Sequence, residues 1–134
     1  MTQQAPERAR ADELLELGRL TMTSGREGDV HTIALDGELD LVGARRVQDE
    51  LERVEATDVV MILVDLSGLT FMDSTGVRLF VSAHARSRAD SGRLTLLRGP
   101  ADVQRVFELC GVDDLLPFAA SRPSPRRRRV SRSH

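Results

Sequence analysis

The segment Phe71-Met72-Asp73-Ser74-Thr75-Gly76 holds the residues of this chain that are best suited to reversible covalent chemistry. Two hydroxyl side chains follow an acid and precede a glycine, beside two large apolar side chains. An amphipathic stretch that predicts a helix begins here, and a helix N-terminus favours negative charge. Phosphorylation of Ser74 would add about two negative charges where the backbone tolerates them. The pattern therefore indicates a modification site that changes a surface without unfolding the chain.

The same segment also fits a structural role. Ser74 falls near the N-cap of the predicted helix, where a hydroxyl commonly accepts a hydrogen bond from a backbone N–H of the first turn. Local sequence does not separate a helix cap from a phosphoacceptor, so both alternatives stay open at this point.

Other reactive side chains form weaker patterns. Glu38 and Asp40 share one segment, but no further base or metal-ligand cluster accompanies them, which favours interface and capping roles over catalysis. His84 falls on the apolar side of a predicted helix, so we expect a packed histidine. The single Cys110 excludes an internal disulfide and is expected to be a small core residue. Because no Gly-rich phosphate loop, HExxH or GxSxG motif is present, the sequence predicts no cofactor, metal or catalytic site.

The charges are distributed unevenly along the 134 residues. The 19 basic residues, all arginine, and the 21 acidic residues give a formal net charge of −2. Residues 1–121 hold 13 of the basic and all 21 of the acidic residues, so their net charge is −8. An acidic body repels nucleic-acid phosphates, and no apolar run approaches the ~20 residues of a membrane span. The sequence therefore predicts a cytoplasmic protein without direct nucleic-acid or membrane binding, and its N-terminus lacks an apolar leader.

Residues 119–134 are rich in Ser, Pro and Arg, and this composition predicts a disordered tail. The run Arg126–Arg129 suits contact with nucleic acid, acidic lipid or an acidic protein. It equally suits an unstructured solubilising tail that is tethered to the acidic body. No aromatic residue is interleaved with these arginines, which disfavours binding to RNA or single-stranded DNA.

Hydrophobic periodicity predicts an alternating α/β order. Residues 1–18 are expected to be an N-terminal extension with a short helix over 11–18, and residues 19–118 form one domain. The apolar run 59–66 predicts a central strand covered on both faces, followed by a loop over 67–76. The remaining predicted elements are an antiparallel hairpin from 19–24 and 30–40, helices over 43–56, 74–89 and 101–110, and a strand over 93–98.

Three segments resemble those of STAS domains, specifically bacterial anti-sigma factor antagonists: LDGELD (35–40), VVMILVDLSGLTFMDSTGV (59–77) and VFELCGVDDLL (106–116). The resemblance runs in order from about Leu20 to Phe118. It implies a single STAS-like domain with a mixed, mostly parallel sheet and alternating helices, entered by an antiparallel hairpin. It also implies a non-enzymatic switch. The unphosphorylated form binds a GHKL-type anti-sigma factor serine kinase and frees the sigma factor, phosphorylation breaks that complex, and a PP2C-type phosphatase restores it.

The resemblance assigns roles to particular residues. Ser74 matches the phosphoacceptor of the family, and Thr75 is the alternative acceptor. Asp40 matches the aspartate of the family's GELD-like loop and is expected beside the phosphorylation loop. The expected partner-binding residues are Asp40, Phe71, Met72, Asp73, Ser74, Thr75, Gly76 and Arg78.

Gly76-Val77-Arg78 stands where the family often has Gly-Leu-Gly. Arg78 lies one helical turn beyond Ser74, where it either pairs with a phosphate or an acidic partner or is an ordinary exposed arginine. An alternative function is a STAS scaffold that assembles with other STAS proteins without binding an anti-sigma factor. A nucleotide-binding or enzymatic module is disfavoured because the phosphate loop is missing. The chain is expected to be a monomer or a weak dimer.

Overall fold

The computed structural model describes residues 12–123, which fold around one six-stranded sheet. The strands lie side by side in sequence order. The first three are antiparallel neighbours, and the pairings from the third to the sixth are parallel. This confirms the predicted mixed α/β sheet. The strands are β1 (Asp12–Leu17), β2 (Leu20–Glu27), β3 (Val30–Leu39), β4 (Met61–Met72), β5 (Leu94–Leu97) and β6 (Phe118–Ala119).

Each parallel crossover is made by a helix, as the periodicity predicts. The helices are α1 (Leu41–Glu55), α2 (Ser74–Ala89) and α3 (Ala101–Leu109). The apolar stripe of α1 consists of residues at spacings of three and four, and all of them are buried: Ala44, Val47, Leu51 and Val54. The periodic pattern was therefore a correct guide to which face of this helix packs on the sheet.

The hairpin of β2 and β3 is confirmed as antiparallel, and its pairing runs out to Glu27 and Val30. Along both strands buried and partly exposed residues alternate, as expected for one face against the helices. The strand β2 is therefore longer than the segment 19–24 that the alternation predicted.

The helix predicted over residues 11–18 is wrong, because residues 12–17 form β1 and pair antiparallel with β2. Gly18, with φ of 71°, and Arg19 form the two-residue turn between Leu17 and Leu20. A glycine at the first position of such a turn adopts positive φ without strain. The open edge of β2 supplies backbone hydrogen bonds that an isolated, short helix could not match.

The predicted loop over 67–76 is also shorter than expected, because β4 continues to Met72. Its pairing with β3 shifts register twice, between Ala34 and Asp36 and between Gly37 and Glu38, and reaches Leu39 and Met72. This irregularity lets the strand pass a break in the apolar pattern and still use the full length of β3. Phe71 therefore lies in a strand and not in a loop.

One core cluster joins the helices to one face of the sheet. The central strand contributes Ile62 and Val64 to it, while Phe80 of α2 and Phe107 of α3 lie with ring centroids 6.3 Å apart. Phe118 of β6 meets Phe107 edge to face at 5.0 Å. Burial of such side chains contributes about 1.5–3 kcal/mol each, so this layer holds the helix N-termini in place.

Candidate functional site

The helix α2 begins with Asp73 as its N-cap, and Ser74 is its first helical residue. The Asp73 carboxylate accepts a hydrogen bond from the Thr75 backbone N–H at 3.0 Å. The segment does cap the helix, as one alternative predicted, but Asp73 supplies the cap and the Ser74 hydroxyl does not. A carboxylate also opposes the positive end of the helix dipole, which makes it an effective cap.

The two hydroxyl groups next to the cap differ in availability. The Thr75 hydroxyl donates a short hydrogen bond to the Asp73 carboxylate, and Thr75 is half-buried. Ser74 is exposed, and no side chain or backbone group in the described part of the chain hydrogen-bonds to its hydroxyl. Ser74 is therefore the hydroxyl that an incoming phosphate donor can reach without breaking an existing contact.

A second helix N-terminus lies beside the first. Leu39 pairs with Met72 across β3 and β4, and the Asp73 N–H donates to the Leu39 carbonyl at 3.4 Å. Asp40 follows Leu39 as the N-cap of α1, and its carboxylate accepts from the N–H groups of Val42 and Gly43 at 3.2 and 3.5 Å. Parallel strands thus bring Asp40 to the same sheet edge as the β4–α2 junction (residues 71–76).

Exposed apolar side chains surround these two caps. Phe71 is 48% exposed at the end of β4. Leu41 and Val42, in the first turn of α1, are 68% and 66% exposed. Neither of these two was among the expected partner-binding residues. The sequence does hold a sign of them, because two apolar residues stand directly after Asp40 and before the apolar stripe that begins at Ala44.

Two of the expected partner-binding residues are not on the surface. Met72 is 2% exposed, and Gly76 is buried against it. A Cβ added at Gly76 would lie 2.4 Å from the Met72 Cγ and 3.2 Å from a Leu39 methyl carbon. These residues support the β4–α2 junction from beneath, because only a residue without a side chain fits the space.

The remaining charged candidates lie around the same edge. Glu38 forms an exposed ion pair with Arg19 at 3.0 Å. Arg78 is exposed on α2, one turn beyond Ser74, and has no partner among the side chains that the structure describes. This position is compatible with both alternatives for Arg78: pairing with a phosphate or an acidic partner, and an ordinary exposed arginine.

Two further sequence expectations concern His84 and Cys110. His84 is half-buried on α2. Cys110 is exposed, so the expectation of a core cysteine is wrong: it is the C-cap of α3, outside the buried stripe of that helix. Among residues 12–123, no group of three or more His, Cys, Asp or Glu side chains could hold a metal ion. The helices within residues 12–123 lack the length and the hydropathy of a membrane-spanning segment.

A buried polar cluster, which the sequence did not reveal, lies toward the other end of β3. The Ser24 hydroxyl donates to Glu50 at 2.5 Å and contacts His31 Nε2 at 2.7 Å. Burial lowers the pKa of His31, although Glu50 opposes that shift. Burial alone would raise the pKa of Glu50, but hydrogen bonds from Arg53 and Ser24 outweigh it and lower that pKa.

This cluster ties the hairpin to α1 and is unsuited to nucleophilic catalysis. Ser24 is 4% exposed, so a substrate cannot reach its hydroxyl. Glu50 bonds to the serine and not to the histidine, which differs from the order in a catalytic triad. Satisfied polar groups of this kind fix how two elements pack.

Comparison with known proteins agrees with this architecture. The sequence model of the family described as "STAS domain" matches residues 23–124. An "Anti-sigma-B factor antagonist" of Listeria monocytogenes is 31% identical over 91 residues, 68% of this chain and 80% of the relative. A protein of the same name from Staphylococcus aureus is 26% identical over 97 residues, 72% of this chain and 90% of the relative.

Two solved structures share the fold. An anti-sigma factor antagonist from Mycobacterium paratuberculosis has a TM-score of 0.67 at 23% identity, covering 80% of this chain and 92% of that one. The anti-sigma factor antagonist SpoIIAA in its unphosphorylated form has a TM-score of 0.63 at 24% identity, covering 90% and 96%. The resemblance of the three sequence segments is thus confirmed, and the chain belongs to the STAS domain family.

Proposed function

We propose that the chain is an anti-sigma factor antagonist, a binding switch and not an enzyme. Its unphosphorylated form binds an anti-sigma factor serine kinase of the GHKL type and so releases the sigma factor. Phosphorylation at Ser74 switches this binding off. The proposal is carried by one observation: the exposed Ser74 hydroxyl at the start of α2 has no hydrogen-bond partner among residues 12–123 and lies within a rim of exposed apolar side chains. The names of its relatives support the same role.

The geometry explains how one modification changes binding. The unmodified edge offers Phe71, Leu41 and Val42 for burial against a partner. A phosphate at Ser74 places about two negative charges inside that rim, so docking must desolvate them. A tenfold loss of affinity requires only about 1.4 kcal/mol. The helix dipole of α2 meanwhile favours the added charge, so the fold itself is not opposed.

Ser74 is preferred over Thr75 as the acceptor on the same grounds. The Thr75 hydroxyl would have to leave the Asp73 carboxylate before it could attack a phosphoryl group. We assign partner contacts to Asp40, Phe71, Ser74 and the neighbouring Arg78, with Asp73 and Thr75 shaping the turn. A PP2C-type phosphatase would restore the unmodified state.

The test uses the purified chain, a cognate GHKL-type anti-sigma kinase and ATP. Mass spectrometry should find one phosphate on Ser74 in the native chain and in Thr75→Val, and none in Ser74→Ala. Ser74→Glu should bind the kinase at least tenfold more weakly than the native chain, and Ser74→Ala, which loses one hydroxyl and adds no charge, should bind it more tightly than Ser74→Glu does. Phosphate on Thr75 alone, or equal binding by Ser74→Glu and the native chain, would refute the switch. A pull-down that recovers a multimeric STAS complex and no kinase would favour the scaffold function instead.

A further inference from the structure

The sheet has one face that packs against the helices and an opposite face, called here the outer face. The outer face is formed by the strand residues that alternate with the core residues along each strand. On the three central strands they are Thr32, Ala34, Leu63, Asp65, Thr95 and Leu97, which pair with one another across β3, β4 and β5. Their immediate neighbours Ile33, Val64 and Leu96 belong to the core cluster under the helices, and these six do not. Side chains alternate between faces along a strand, so the six share the other face.

The chain returns across this face after its last strand. Beyond β6, the Arg122 guanidinium donates to the Thr32 hydroxyl at 3.4 Å and lies 3.8 Å from the Asp65 carboxylate. Thr32 belongs to β3, three strands from β6 in the sheet order. The Arg122 side chain, next to the end of the described residues, therefore lies against the middle strands of the outer face, although the sequence predicts a disordered tail from Ala119.

The outer face and the remaining chain have opposite charges. The charged strand residues on this face include Glu27, Asp36 and Asp65, which are all acidic. Residues 124–134 contain five arginines, Arg126–Arg129 and Arg132, and no acid. Arg122 is the first arginine of this basic region and already lies against one of the acids. Charge complementarity of this kind orients one surface on another.

The length of the remaining chain matches the distance. Neighbouring strands are about 4.8 Å apart, so β4 to β1 spans roughly 15 Å. The eleven residues after Pro123 can extend about 36 Å, and the arginine run starts three residues beyond Pro123.

We propose that residues 124–134 dock on the outer face of their own chain, with the arginines against its carboxylates and Arg122 as the first contact. The docked tail covers the half-buried Thr32, Ala34, Thr95 and Leu97 of that face, whereas Leu63 is already buried. The edge that carries Ser74 stays free, so this docking does not depend on the proposed function.

Paramagnetic relaxation on the full chain tests the docking. A nitroxide is placed at Ser131→Cys in a Cys110→Ser background, since Cys110 is the chain's one cysteine. In a 15N-labelled chain, the amides of Val30–Ala34 and Met61–Asp65 should broaden more than those of α1 and α2, and high salt should remove the difference. Equal broadening of strands and helices would overturn the proposal.

A mixed sample and a matched pair of variants complete the test. In the mixed sample, one chain carries the nitroxide and no 15N, and the other carries 15N and no nitroxide. The amide signals of the 15N chain should then show no broadening. Broadening there would instead assign the outer face to the tail of a second copy and overturn docking within one chain.

Asp65→Asn keeps the acceptor oxygen that binds Ser67, and should lower the docked-to-free ratio about two- to fivefold, as expected for one exposed ion pair. Asp102→Asn, on the exposed face of α3, should leave the ratio unchanged, and equal effects of the two variants would contradict the assignment.

Discussion

Replacing Gly76 by alanine tests the contact that holds the β4–α2 junction on the core. The added Cβ would lie 2.4 Å from the Met72 Cγ and 2.7 Å from its sulfur, far inside contact distance. Met72 is 2% exposed and cannot move into solvent without losing its burial. Overpacking of this kind costs about 1–3 kcal/mol, whereas alanine in place of a helical glycine gains about 0.5–1 kcal/mol. We therefore expect Gly76→Ala to lower the free energy of unfolding by about 1–2 kcal/mol.

A double-mutant cycle identifies the contact. Met72→Ala alone should cost about 2–5 kcal/mol because it leaves a cavity in the core. In the double variant the new methyl group of Gly76→Ala enters that cavity. The combined loss should therefore be smaller than the sum of the single losses by at least about 1 kcal/mol.

Urea denaturation followed by far-UV circular dichroism measures these values, since the chain has no Trp or Tyr to report by fluorescence. Ser82→Ala, at an exposed position of α2, is the control and should change stability by less than about 0.5 kcal/mol. If Gly76→Ala is as stable as the native chain, or if the two losses add, close packing against Met72 is not what excludes a side chain at this position.

Three further changes test other parts of the fold. Because the pKa of His31 is lowered in the folded chain, the unfolded chain binds a proton at this histidine at a higher pH than the folded chain does. Stability should therefore fall as the pH drops below the ordinary value of 6.5, whereas the loss from the lowered pKa of Glu50 starts only below 4.5. His31→Gln should flatten the dependence of the unfolding midpoint on pH between pH 7 and about 5.5. Arg93→Lys should cost about 2–3 kcal/mol in urea, because its guanidinium donates to three backbone carbonyls that an ammonium cannot reach together. Asp40→Ala should cost about 1 kcal/mol and Asp40→Asn much less, so a loss of kinase binding in Asp40→Asn, measured by calorimetry, would separate its charge from its cap.

Where a segment carries its own hydrophobic period, the sequence alone predicts its structure well. The stripe of α1 and the apolar run of β4 fold as their periods indicate. Residues 12–17 fit a helix and a strand about equally, since Leu14 and Leu17 are three apart and Leu15 and Leu17 are two apart. The edge of β2 decides between them, and that edge exists only in the folded sheet.

The site shows the same division. Asp73, Ser74 and Thr75 are visible as a motif, but which of them caps α2 depends on backbone angles that the motif does not specify. The Ser24 cluster joins residues that are 7 and 26 positions apart, so no local pattern marks it. Contacts between residues that are distant in the sequence are thus the part of the structure that sequence periodicity does not predict.

The identity of the cap decides how Ser74 can act as a switch. If its hydroxyl capped α2, phosphorylation would remove a bond worth about 1 kcal/mol and loosen the helix. Asp73 supplies that bond instead, and within residues 12–123 the Ser74 hydroxyl has no hydrogen bond to lose. Ser74→Ala should therefore leave the free energy of unfolding, measured with urea, within about 0.5 kcal/mol of the native value, and Asp73→Ala should lower it by about 1 kcal/mol. The opposite order of these two losses would show that modification acts on the helix and not on the surface alone.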